Sequence, residues 1–329
     1  MPTDSLKEHN ILGFTKDNNI LLIESENTLY FYNIRNEAFS NIDILVNESD
    51  TIHYLNYFLI IIKNTSDINT LEIYNIDNNI LLNSISSKKS FDNILDISPN
   101  VQYILLQQKD KYTLWNIKEN LIQEYIDNDT ELFKAKFSND SSYCILLRDD
   151  YISILNTKTN SCYDILNELE FLRVKEIDIS MYHNNNEDYL VVAGIFIIDS
   201  KKNNLLIFNL TTNMIVSSST ISPSGRVPTV KNIATITDKY IVLLAMYGFM
   251  DNNYKLFYAD INTGQYITHE VPVIAFNTYK TYPSYNKRFV LMFCNNHHDK
   301  NNNSIEIMDI HNKKIIKAFD NSLQVLNLK

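Results

Sequence analysis

The stretch YTLWNIKEN, residues 112–120, contains an apolar run, the only tryptophan of the chain and a polar turn. Side chains that alternate with a period of two, together with aromatic and β-branched residues, are typical of a β-strand. The asparagine that follows the tryptophan has a short polar side chain, which can hydrogen-bond to the backbone of the next turn. The stretch therefore predicts a strand that ends at Asn116 and enters a tight turn.

The same pattern occurs seven times: an apolar strand, a bulky residue, Asn or Asp, an aliphatic residue or Thr, and a polar turn. The other six copies are LYFYNIRN (29–36), LEIYNIDNN (71–79), ISILNTKTN (152–160), LLIFNLTTN (205–213), KLFYADINTG (255–264) and IEIMDIHNK (305–313). The seven anchor residues are Asn33, Asn75, Asn116, Asn156, Asn209, Asp260 and Asp309, at intervals of 42, 41, 40, 53, 51 and 49 residues. Propeller blades repeat every 40–45 residues or so, so the pattern indicates blades with insertions in the second half of the chain.

Each repeat has room for four short strands, as in the third, which contains DNILDIS, QYILLQQ, YTLWNI and LIQEYI. We therefore predict an all-β fold, a seven-bladed WD40-like β-propeller of four-stranded antiparallel blades. Trp115 and Asn116 take the place of the Trp-Asp pair of WD40 repeats, although the partner histidine is not evident in any unit. The repeated pattern is thus interpreted as structural rather than catalytic.

The predicted propeller is a single domain that covers residues 1–329. Its blades are expected at approximately 10–45, 46–86, 87–127, 128–168, 169–220, 221–271 and 272–320. Residues 321–329 are left over after the seventh blade and contain the apolar sequence SLQVLNL. We hypothesise that they add a closing strand to the first blade, because closure removes exposed sheet edges.

Composition limits the location and the partners of the protein. The formal net charge of −10 argues against broad nucleic-acid binding, which needs lysine and arginine to replace phosphate counterions. The N-terminus has no signal-peptide pattern, the apolar runs are too short to span a bilayer, and three cysteines are too few for a disulfide framework. We expect a cytoplasmic protein, with a nuclear location as the alternative, and no membrane partner.

Turns in this chain are expected to rely on asparagine. The sequence has 5 glycines and 45 asparagines. After glycine, asparagine is the residue that best tolerates a positive φ angle.

The sequence contains no recognisable catalytic or cofactor-binding motif. Phosphate-binding glycine loops, a GxSxG elbow and an HExxH helix are all absent from it. Acidic pairs such as Asp149-Asp150 and Glu168/Glu170 could support acid–base chemistry, but every acidic surface offers such pairs. We therefore expect a protein that is not an enzyme and that has neither a cofactor nor a small-molecule substrate.

A cluster of potential zinc ligands occurs in the sequence CNNHHDK, which contains Cys294, His297, His298 and Asp299. Cysteine and histidine at this spacing could supply two or three ligands. No second Cys/His cluster complements it, so we interpret the segment as a surface loop without a metal, with zinc binding left open.

Long loops point to a partner-binding face on blades 5–7. The connection between the second and third strands is expected to lengthen in blades 2, 5, 6 and 7, and such loops leave from one face of a propeller. The loop SPSGRVPTVK (222–231) should open on that face, and the aromatic run YKTYPSYNKRF (279–289) could stack on RNA or be an ordinary connection. The candidate partner-binding residues are Arg226, Lys231, Lys201, Lys202, Tyr279 and Tyr282.

The order of features from about residue 112 to 310 resembles the central propeller shared by eukaryotic translation initiation factor 2A and subunit b of initiation factor 3. Two portions carry the resemblance. The first is YTLWNIKENLIQEYIDNDTELFKAKFSNDSSYCILLRDDYISILNTKTNSCYDI, and the second is VKEIDISMYHNNNEDYLVVAGIFIIDSKKNNLLIFNL followed by VKNIATITDKYIVLLAMYGFMDNNYKLFYADINTGQYITHEV. It implies a ribosome-associated scaffold that contacts the small ribosomal subunit or other initiation factors. Propellers of that family have more blades than seven, and none of their site residues maps onto this chain.

Three functions remain open on the sequence. A non-enzymatic scaffold for protein–protein interactions, tied to translation initiation, agrees with the fold and with the resemblance. A WD40-like adaptor in another multisubunit complex, such as a coat, a nuclear pore or a ubiquitin ligase, is the alternative. A propeller hydrolase or lyase would need carboxylates clustered around the central channel. In the first two cases the partners are other proteins of an assembly.

Overall fold

The structure is a computed structural model. It describes residues 10–64, 68–87, 93–108, 111–119, 121–126, 132–149, 151–165, 169–172, 174–198, 200–220, 229–247, 253–272, 278–294 and 304–320. Within these ranges the chain forms 29 β-strands and one short 3-10 helix, Val174–Glu176. The strands form seven antiparallel sheets, six with four strands and one with five. The predicted all-β fold, seven antiparallel blades arranged as a β-propeller, is therefore confirmed.

The first four blades contain sixteen strands in chain order. Blade 1 has β1 (Asn10–Phe14), β2 (Ile20–Ser25), β3 (Thr28–Asn33) and β4 (Ala38–Asn41). Blade 2 has β5 (Thr51–Leu55), β6 (Phe58–Asn64), β7 (Asn69–Asn75) and β8 (Ile80–Ser87). Blade 3 has β9 (Asn93–Ile97), β10 (Tyr103–Gln108), β11 (Lys111–Asn116) and β12 (Leu121–Ile126). Blade 4 has β13 (Leu132–Phe137), β14 (Tyr143–Arg148), β15 (Ile152–Asn156) and β16 (Cys162–Ile165).

The last three blades contain thirteen strands, five of them in blade 5. Blade 5 has β17 (Glu170–Phe171), β18 (Asp178–Asn184), β19 (Glu187–Ile198), β20 (Lys201–Asn209) and β21 (Met214–Ser219). Blade 6 has β22 (Thr229–Ile236), β23 (Tyr240–Tyr247), β24 (Asn253–Asp260) and β25 (Tyr266–Pro272). Blade 7 has β26 (Thr278–Pro283), β27 (Phe289–Cys294), β28 (Ser304–Asp309) and β29 (Lys314–Asp320).

Contacts divide the chain into two compact units. The first unit consists of residues 1–90 and 273–329 and contains blades 1, 2 and 7. The second unit consists of residues 91–272 and contains blades 3 to 6. The predicted extent of a single domain, residues 1–329, stays a prediction.

The second strand of each blade is largely buried on both faces within the described residues. In β6 the five residues from Phe58 to Ile62 are all buried, which explains why this strand reads as one apolar run. The fourth strand is the most exposed, and all four residues of β4 are open to solvent. Each fully buried aliphatic side chain contributes roughly 1.5–3 kcal/mol, so most of the stabilisation comes from the inner strands.

The apolar core of each unit lies between consecutive blades. In the first unit, one cluster joins blades 1 and 2 and another joins blades 1 and 7. In the second unit, three clusters join blades 3 and 4, blades 4 and 5, and blades 5 and 6. Carboxylates also join consecutive blades by hydrogen bonds: the buried Asp96 accepts the backbone N–H of Phe137 at 2.8 Å, and the partly buried Asp178 accepts that of Ile233 at 2.7 Å.

The anchor residue of every repeat binds the turn that follows the third strand, as the sequence predicts. In each blade its side-chain oxygen accepts a backbone N–H two or three residues further on. The donors are Arg35, Asp77, Glu119, Lys158, Thr211, Asn262 and Asn312, at distances of 2.8–3.2 Å. The residue before the anchor packs into the core in most blades, for example Trp115 with 3% of its surface exposed. The structural role of YTLWNIKEN is thereby confirmed.

Asparagine carries much of the turn work, in agreement with the composition. Among the described residues, fifteen that are not glycine have a positive φ angle, and seven of these are asparagine. Left-handed backbone costs asparagine less than most other residues, because its short side chain hydrogen-bonds locally.

A second repeated turn, between the first and second strands, has a signature that the sequence analysis did not extract. It reads Ser-x-Asn/Asp-x-x-Tyr/Phe and occurs at residues 98–103, 138–143 and 284–289. The serine hydroxyl donates to the Asn or Asp two residues on, at 2.6–2.8 Å. It also accepts the backbone N–H of the aromatic residue, at 2.8–3.0 Å. These bonds fix the turn in one conformation.

The hypothesis of a closing strand falls on residues 321–329, which lie outside the described residues. Within the described part, the first blade is formed by β1–β4 and the last by β26–β29, each from consecutive strands. Closure by the C-terminal segment stays a prediction.

No described helix has the length and the apolar character that crossing a membrane would require.

Candidate partner-binding site

The structure places the six candidate residues in different settings. Arg226 lies outside the described residues, and Lys231 and Tyr279 lie within β22 and β26, where the structure describes their backbone. Lys201 and Lys202 are the first two residues of β20, and both are exposed. The lysines and Arg226 belong to the second unit, whereas Tyr279 and the last candidate, Tyr282, belong to the first unit.

The long loop expected in blade 5 is instead a hairpin, so that expectation is wrong for this blade. Strand β19 has 12 residues and β20 has 9, and they pair as far as Ile198 opposite Lys201. Only residues 199 and 200 are left between the two strands. The sequence IIDSKKNN is rich in polar turn residues, yet backbone pairing continues through it because a neighbouring strand supports it.

The extra length of this hairpin is supported by β17. Strand β18 pairs with the first part of β19, up to Ala193, and β17 then pairs with Phe196 and Ile197. Gly194 lies where the partner of β19 changes, with a φ angle of 151°. A Cβ atom there would lie 2.3 Å from the Cδ1 atom of Ile177, so glycine allows the close approach of the two segments.

The base of the hairpin is anchored by apolar packing. Phe196 is fully buried and Ile198 is 7% exposed, and both belong to the core cluster between blades 4 and 5. Leu169, which is 4% exposed, joins the same cluster from the segment that precedes β17. The hairpin is therefore an integral part of the second unit rather than a loose insertion.

Polar contacts fix the backbone at the lysines. The side-chain amide of Asn203 donates to the carbonyl of Lys201 at 3.0 Å, and the Thr220 hydroxyl donates to the carbonyl of Lys202 at 2.8 Å. Since neighbouring residues of a strand point to opposite faces, the two lysines present one positive charge on each face of the hairpin. A fixed backbone with mobile cationic side chains is suited to contact with an acidic surface.

Tyr282 has a packing role in the first unit. Its ring lies edge-to-face against Phe293, with 5.7 Å between ring centroids, and it packs against the core cluster between blades 1 and 7. A Cβ atom on Gly13 would lie 3.8 Å from this ring, so the inner strands of the two blades are close. Phe289 packs against the same cluster, so two of the four aromatic residues of the run 279–289 contribute to the core.

The cysteines and histidines show no metal site within the part of the chain that the structure describes. Cys294 is the last residue of β27, and His297, His298 and Asp299 lie outside the described residues. Burial raises the pKa of the Cys144 thiol well above its ordinary value, so this thiol stays protonated and unreactive.

The carboxylates considered for acid–base chemistry are not brought together among the described residues. Asp150 and Glu168 lie outside them, and Glu170 is an exposed residue of β17. Asp178, a partly buried carboxylate of the second unit, accepts hydrogen bonds from Lys134 at 3.1 Å and from a backbone N–H. These are structural contacts that tie inner strands together.

Comparison with known proteins gives a structural result but not a family. No family model matches the chain, and no curated protein matches its sequence. Solved structures do match. A chain of a mitotic checkpoint complex aligns with a TM-score of 0.56 and 12% identity over 89% of this chain and 93% of that one.

Two further structures extend the comparison. The WD40 repeats of RRP9 align with a TM-score of 0.51 and 8% identity over 87% of this chain and 90% of that one. The dihydro-heme d1 dehydrogenase NirN, in complex with DHE, aligns with a TM-score of 0.55 and 10% identity over 97% of this chain and 67% of that one. At these identities the likeness shows the fold alone, a propeller with WD40-repeat structures among its neighbours.

Proposed function

We propose that the protein is a non-enzymatic scaffold that binds other proteins of a multisubunit assembly, and that the blade 5 hairpin is a docking element. The observation that carries this proposal is the lengthened β19–β20 hairpin, which holds two exposed lysines on a backbone fixed by the core. Binding residues are often placed on elements that project from a rigid scaffold. The neighbouring structures in a checkpoint complex and in WD40 repeats support the same class of function.

Within this class we propose the assembly to be a translation initiation complex on the small ribosomal subunit, in the cytoplasm. The support for this step is the resemblance of the segment 112–310 to the propeller of initiation factor 2A and of subunit b of initiation factor 3. An acidic chain that meets a ribosome needs local positive charge, which Lys201 and Lys202 supply. A WD40-like adaptor of a different complex would use the same hairpin with other partners.

The test is sedimentation of the tagged protein from lysate of its native host through a sucrose gradient, with mass spectrometry of the fractions. We expect co-migration with small ribosomal subunits at low salt and its loss at high salt, since exposed charges are screened. Migration with a defined set of other proteins would discard the translation proposal and keep the scaffold. Migration as a free protein at every salt concentration would contradict both.

A charge-reversal variant tests the hairpin itself. Replacing Lys201 and Lys202 with Glu should reduce the co-migrating fraction by about tenfold, because oppositely charged surfaces then repel. The matched control replaces Lys158 and Lys239, which are exposed lysines in turns of blades 4 and 6, with Glu. Equal loss in both variants would show a general effect of charge and would remove the hairpin from the proposal.

A further inference from the structure

We infer that the first unit carries a second interaction surface, which binds a short acidic peptide segment of a partner protein through a pair of tyrosines and adjacent cations. This surface, here called the tyrosine platform, consists of Tyr57, Tyr285, Lys287 and Arg288. It lies on the turns between the first and second strands of blades 2 and 7. It shares no residue with the blade 5 hairpin, so the two proposals stand or fall separately.

Tyr57 lies in a turn where its presence is unusual. Asn56 and Tyr57 have φ angles of 49° and 67°, the pattern of a type I′ hairpin turn. The second position of this turn favours glycine or asparagine, and for a bulky residue a positive φ angle is an outlier. Asn186 takes this position in the β18–β19 turn of blade 5, and Asn27 takes it in the two-residue turn between β2 and β3. A tyrosine at a strained backbone position indicates that its ring contributes to structure or binding.

The ring of Tyr57 is paired with an exposed aromatic side chain. Tyr285 has 54% of its surface exposed, and its ring meets that of Tyr57 edge-to-face with 5.2 Å between centroids. The proximity of Tyr285 and the burial of Tyr57 raise the pKa of the Tyr57 hydroxyl to about 12, with burial as the larger cause. The Tyr57 ring is therefore neutral at physiological pH, and the exposed Tyr285 offers an open aromatic face for a proline or aromatic side chain.

The two turns are held in place before any partner binds. The backbone N–H of Asn286 donates to the side chain of Asn18 in blade 1, at 2.8 Å. Lys16, in the same turn of blade 1, donates its backbone N–H to Asp77 of blade 2 at 3.3 Å and forms an ion pair with it at 3.6 Å. These bonds tie the turn 283–288 to the turn 15–19, and that turn to the turn after β7. The turn 55–58 is tied to blade 7 by the Tyr57 hydroxyl, which donates to the carbonyl of Pro283 at 3.5 Å. Because these turns are already ordered in the free protein, they lose less conformational entropy when a partner binds.

The charge beside the rings favours an acidic ligand. The turns 15–19, 55–58 and 283–288 contain three cations, Lys16, Lys287 and Arg288, and one carboxylate, Asp17. Arg288 is bound to Asp309, with a nitrogen–oxygen distance of 2.8 Å, but half of its side chain stays exposed. Lys287 is exposed and has no ion pair within the part of the chain that is described. Asp77 and Asp309 neutralise Lys16 and Arg288, so Lys287 is the cation of this surface that an acidic ligand would meet.

A peptide fits these features better than single-stranded nucleic acid. Nucleic-acid platforms combine stacked bases with a positively charged groove that follows several phosphates. Of the three cations in these turns, Lys16 and Arg288 are bound to carboxylates and Lys287 has no ion pair in the described part of the chain. The net charge of −10 also disfavours a polyanion. A short peptide needs only two points of attachment: one of its apolar rings would pack on Tyr285, and one of its carboxylates would pair with Lys287. Tyrosine and arginine are also enriched in binding hot spots.

The experiment is selection of a phage-displayed library of random peptides, about twelve residues long, on the full-length protein, a length that spans a linear recognition motif. Selected peptides are then synthesised with a fluorescein label and measured by fluorescence anisotropy. We expect the enriched peptides to be acidic and to contain proline or an aromatic residue. The variant Tyr285→Ala with Lys287→Glu should weaken their binding by about tenfold or more, as loss of a hot spot does.

Two further variants keep the result interpretable. Tyr57→Asn places at this turn the residue that Asn186 supplies in blade 5, so the turn persists while the ring is lost, and binding should weaken again. Tyr163→Ala with Lys158→Glu removes an exposed tyrosine, 47% open to solvent, and an exposed lysine from the second unit, and should leave binding unchanged.

Three outcomes would overturn the inference. The first is that no peptide is enriched. The second is that enriched peptides are not acidic or bind the Tyr285→Ala, Lys287→Glu variant as well as the original protein. The third concerns RNA, tested with a labelled oligouridylate of about fifteen nucleotides, which is long enough to fill one single-strand site. The inference is overturned if this RNA binds the original protein and not the variant, while no peptide shows that difference. Failure here would leave the sedimentation test of the blade 5 hairpin unaffected.

Discussion

The turn that follows the third strand is the same in all seven described blades, whereas a fifth strand and a lengthened hairpin occur in blade 5 alone among them. In the repeated turn, the anchor residue binds backbone groups two or three positions away. In blade 5, β19 depends on β17, which lies some 26 residues earlier in the chain. The repeated turn is therefore a local interaction used many times, and the hairpin is a long-range interaction used once.

This difference predicts how stability is distributed. A local hydrogen bond in a turn contributes about 0.5–1.5 kcal/mol, and its loss in one blade leaves six others intact. A fully buried aromatic side chain such as Phe196 makes many apolar contacts at one point, so its truncation removes all of them together. We expect substitutions in the hairpin to cost several times more free energy of unfolding than those in a repeated turn.

The largest effect is expected for Phe196→Ala. Phe196 is fully buried between blades 4 and 5, and truncation of such a ring leaves a cavity in the core. The free energy of unfolding should fall by about 3–5 kcal/mol, measured by urea denaturation followed by circular dichroism. Leu172→Ala, at a residue 40% exposed next to β17, is the control and should cost less than about 1 kcal/mol. Similar costs for both variants would show that the hairpin is not part of the core.

A somewhat smaller effect is expected for Gly194→Ala. The added Cβ atom would lie 2.3 Å from the Ile177 side chain and 3.1 Å from the Ile177 Cα atom, and the backbone there cannot move freely. Together with the φ angle of 151°, this should lower the free energy of unfolding by about 2–4 kcal/mol. The matched control is Gly13→Ala, with a φ angle of 152° but 3.2 Å from the Tyr54 ring, which can shift. An equal loss at both positions would mean that φ alone, and not the close approach in blade 5, sets the cost.

The same contrast explains what could be predicted from the sequence. The strands and the anchored turns follow from short-range patterns, so counting the seven copies of Asn or Asp gave both the blade number and the role of Asn116. The hairpin could not be predicted, since Lys201 and Lys202 in IIDSKKNN look like turn residues and only pairing with distant Phe171 extends the strands.

The tyrosine platform was even harder to predict. A tyrosine at the second position of a type I′ turn contradicts the residue preference of that turn, so Asn56-Tyr57 carries no turn signal as strong as Asn-Gly. The pairing of Tyr57 with Tyr285 joins residues 228 positions apart in the sequence. The sequence run 279–289 was recognised as aromatic and basic, but which tyrosine is open to solvent depends on the packing of Tyr282.

Among the repeated turns, the strongest anchor is expected to be Asp309. Burial by itself raises the pKa of this carboxyl, but hydrogen bonds from Arg288 and Asn312 outweigh burial and lower it. A carboxyl with a lower pKa in the folded state stabilises the protein above its unfolded pKa, and this stabilisation is lost as the pH falls through the folded value. The pH dependence therefore separates this anchor from the five asparagine anchors.

The variant Asp309→Asn tests whether the charge of this anchor contributes to stability. At pH 7 it should lower the free energy of unfolding by about 1–2 kcal/mol, since Arg288 is half exposed and its ion pair is partly screened. The difference from the original protein should shrink as the pH falls through the lowered pKa of Asp309 in the folded state, where the carboxyl becomes protonated. Thermal unfolding measured across this pH range checks the prediction, and a difference that stays constant with pH would contradict it.

The smallest effect is expected for Asn156→Ala, in the turn after the third strand of blade 4. The Asn156 side chain accepts the backbone N–H groups of Lys158 and Thr159, both at 3.0 Å, and these groups can turn to water when it is removed. The cost should be about 1 kcal/mol, and Asn156→Asp, which keeps the acceptor oxygen, should cost less than half of that. The free energies of unfolding of the two variants, measured by urea denaturation, show whether the acceptor oxygen of Asn156 is the source of the stabilisation. If Asn156→Ala cost as much as Phe196→Ala, a single repeated turn would carry as much stability as the unique hairpin, and the contrast between local and long-range elements would be lost.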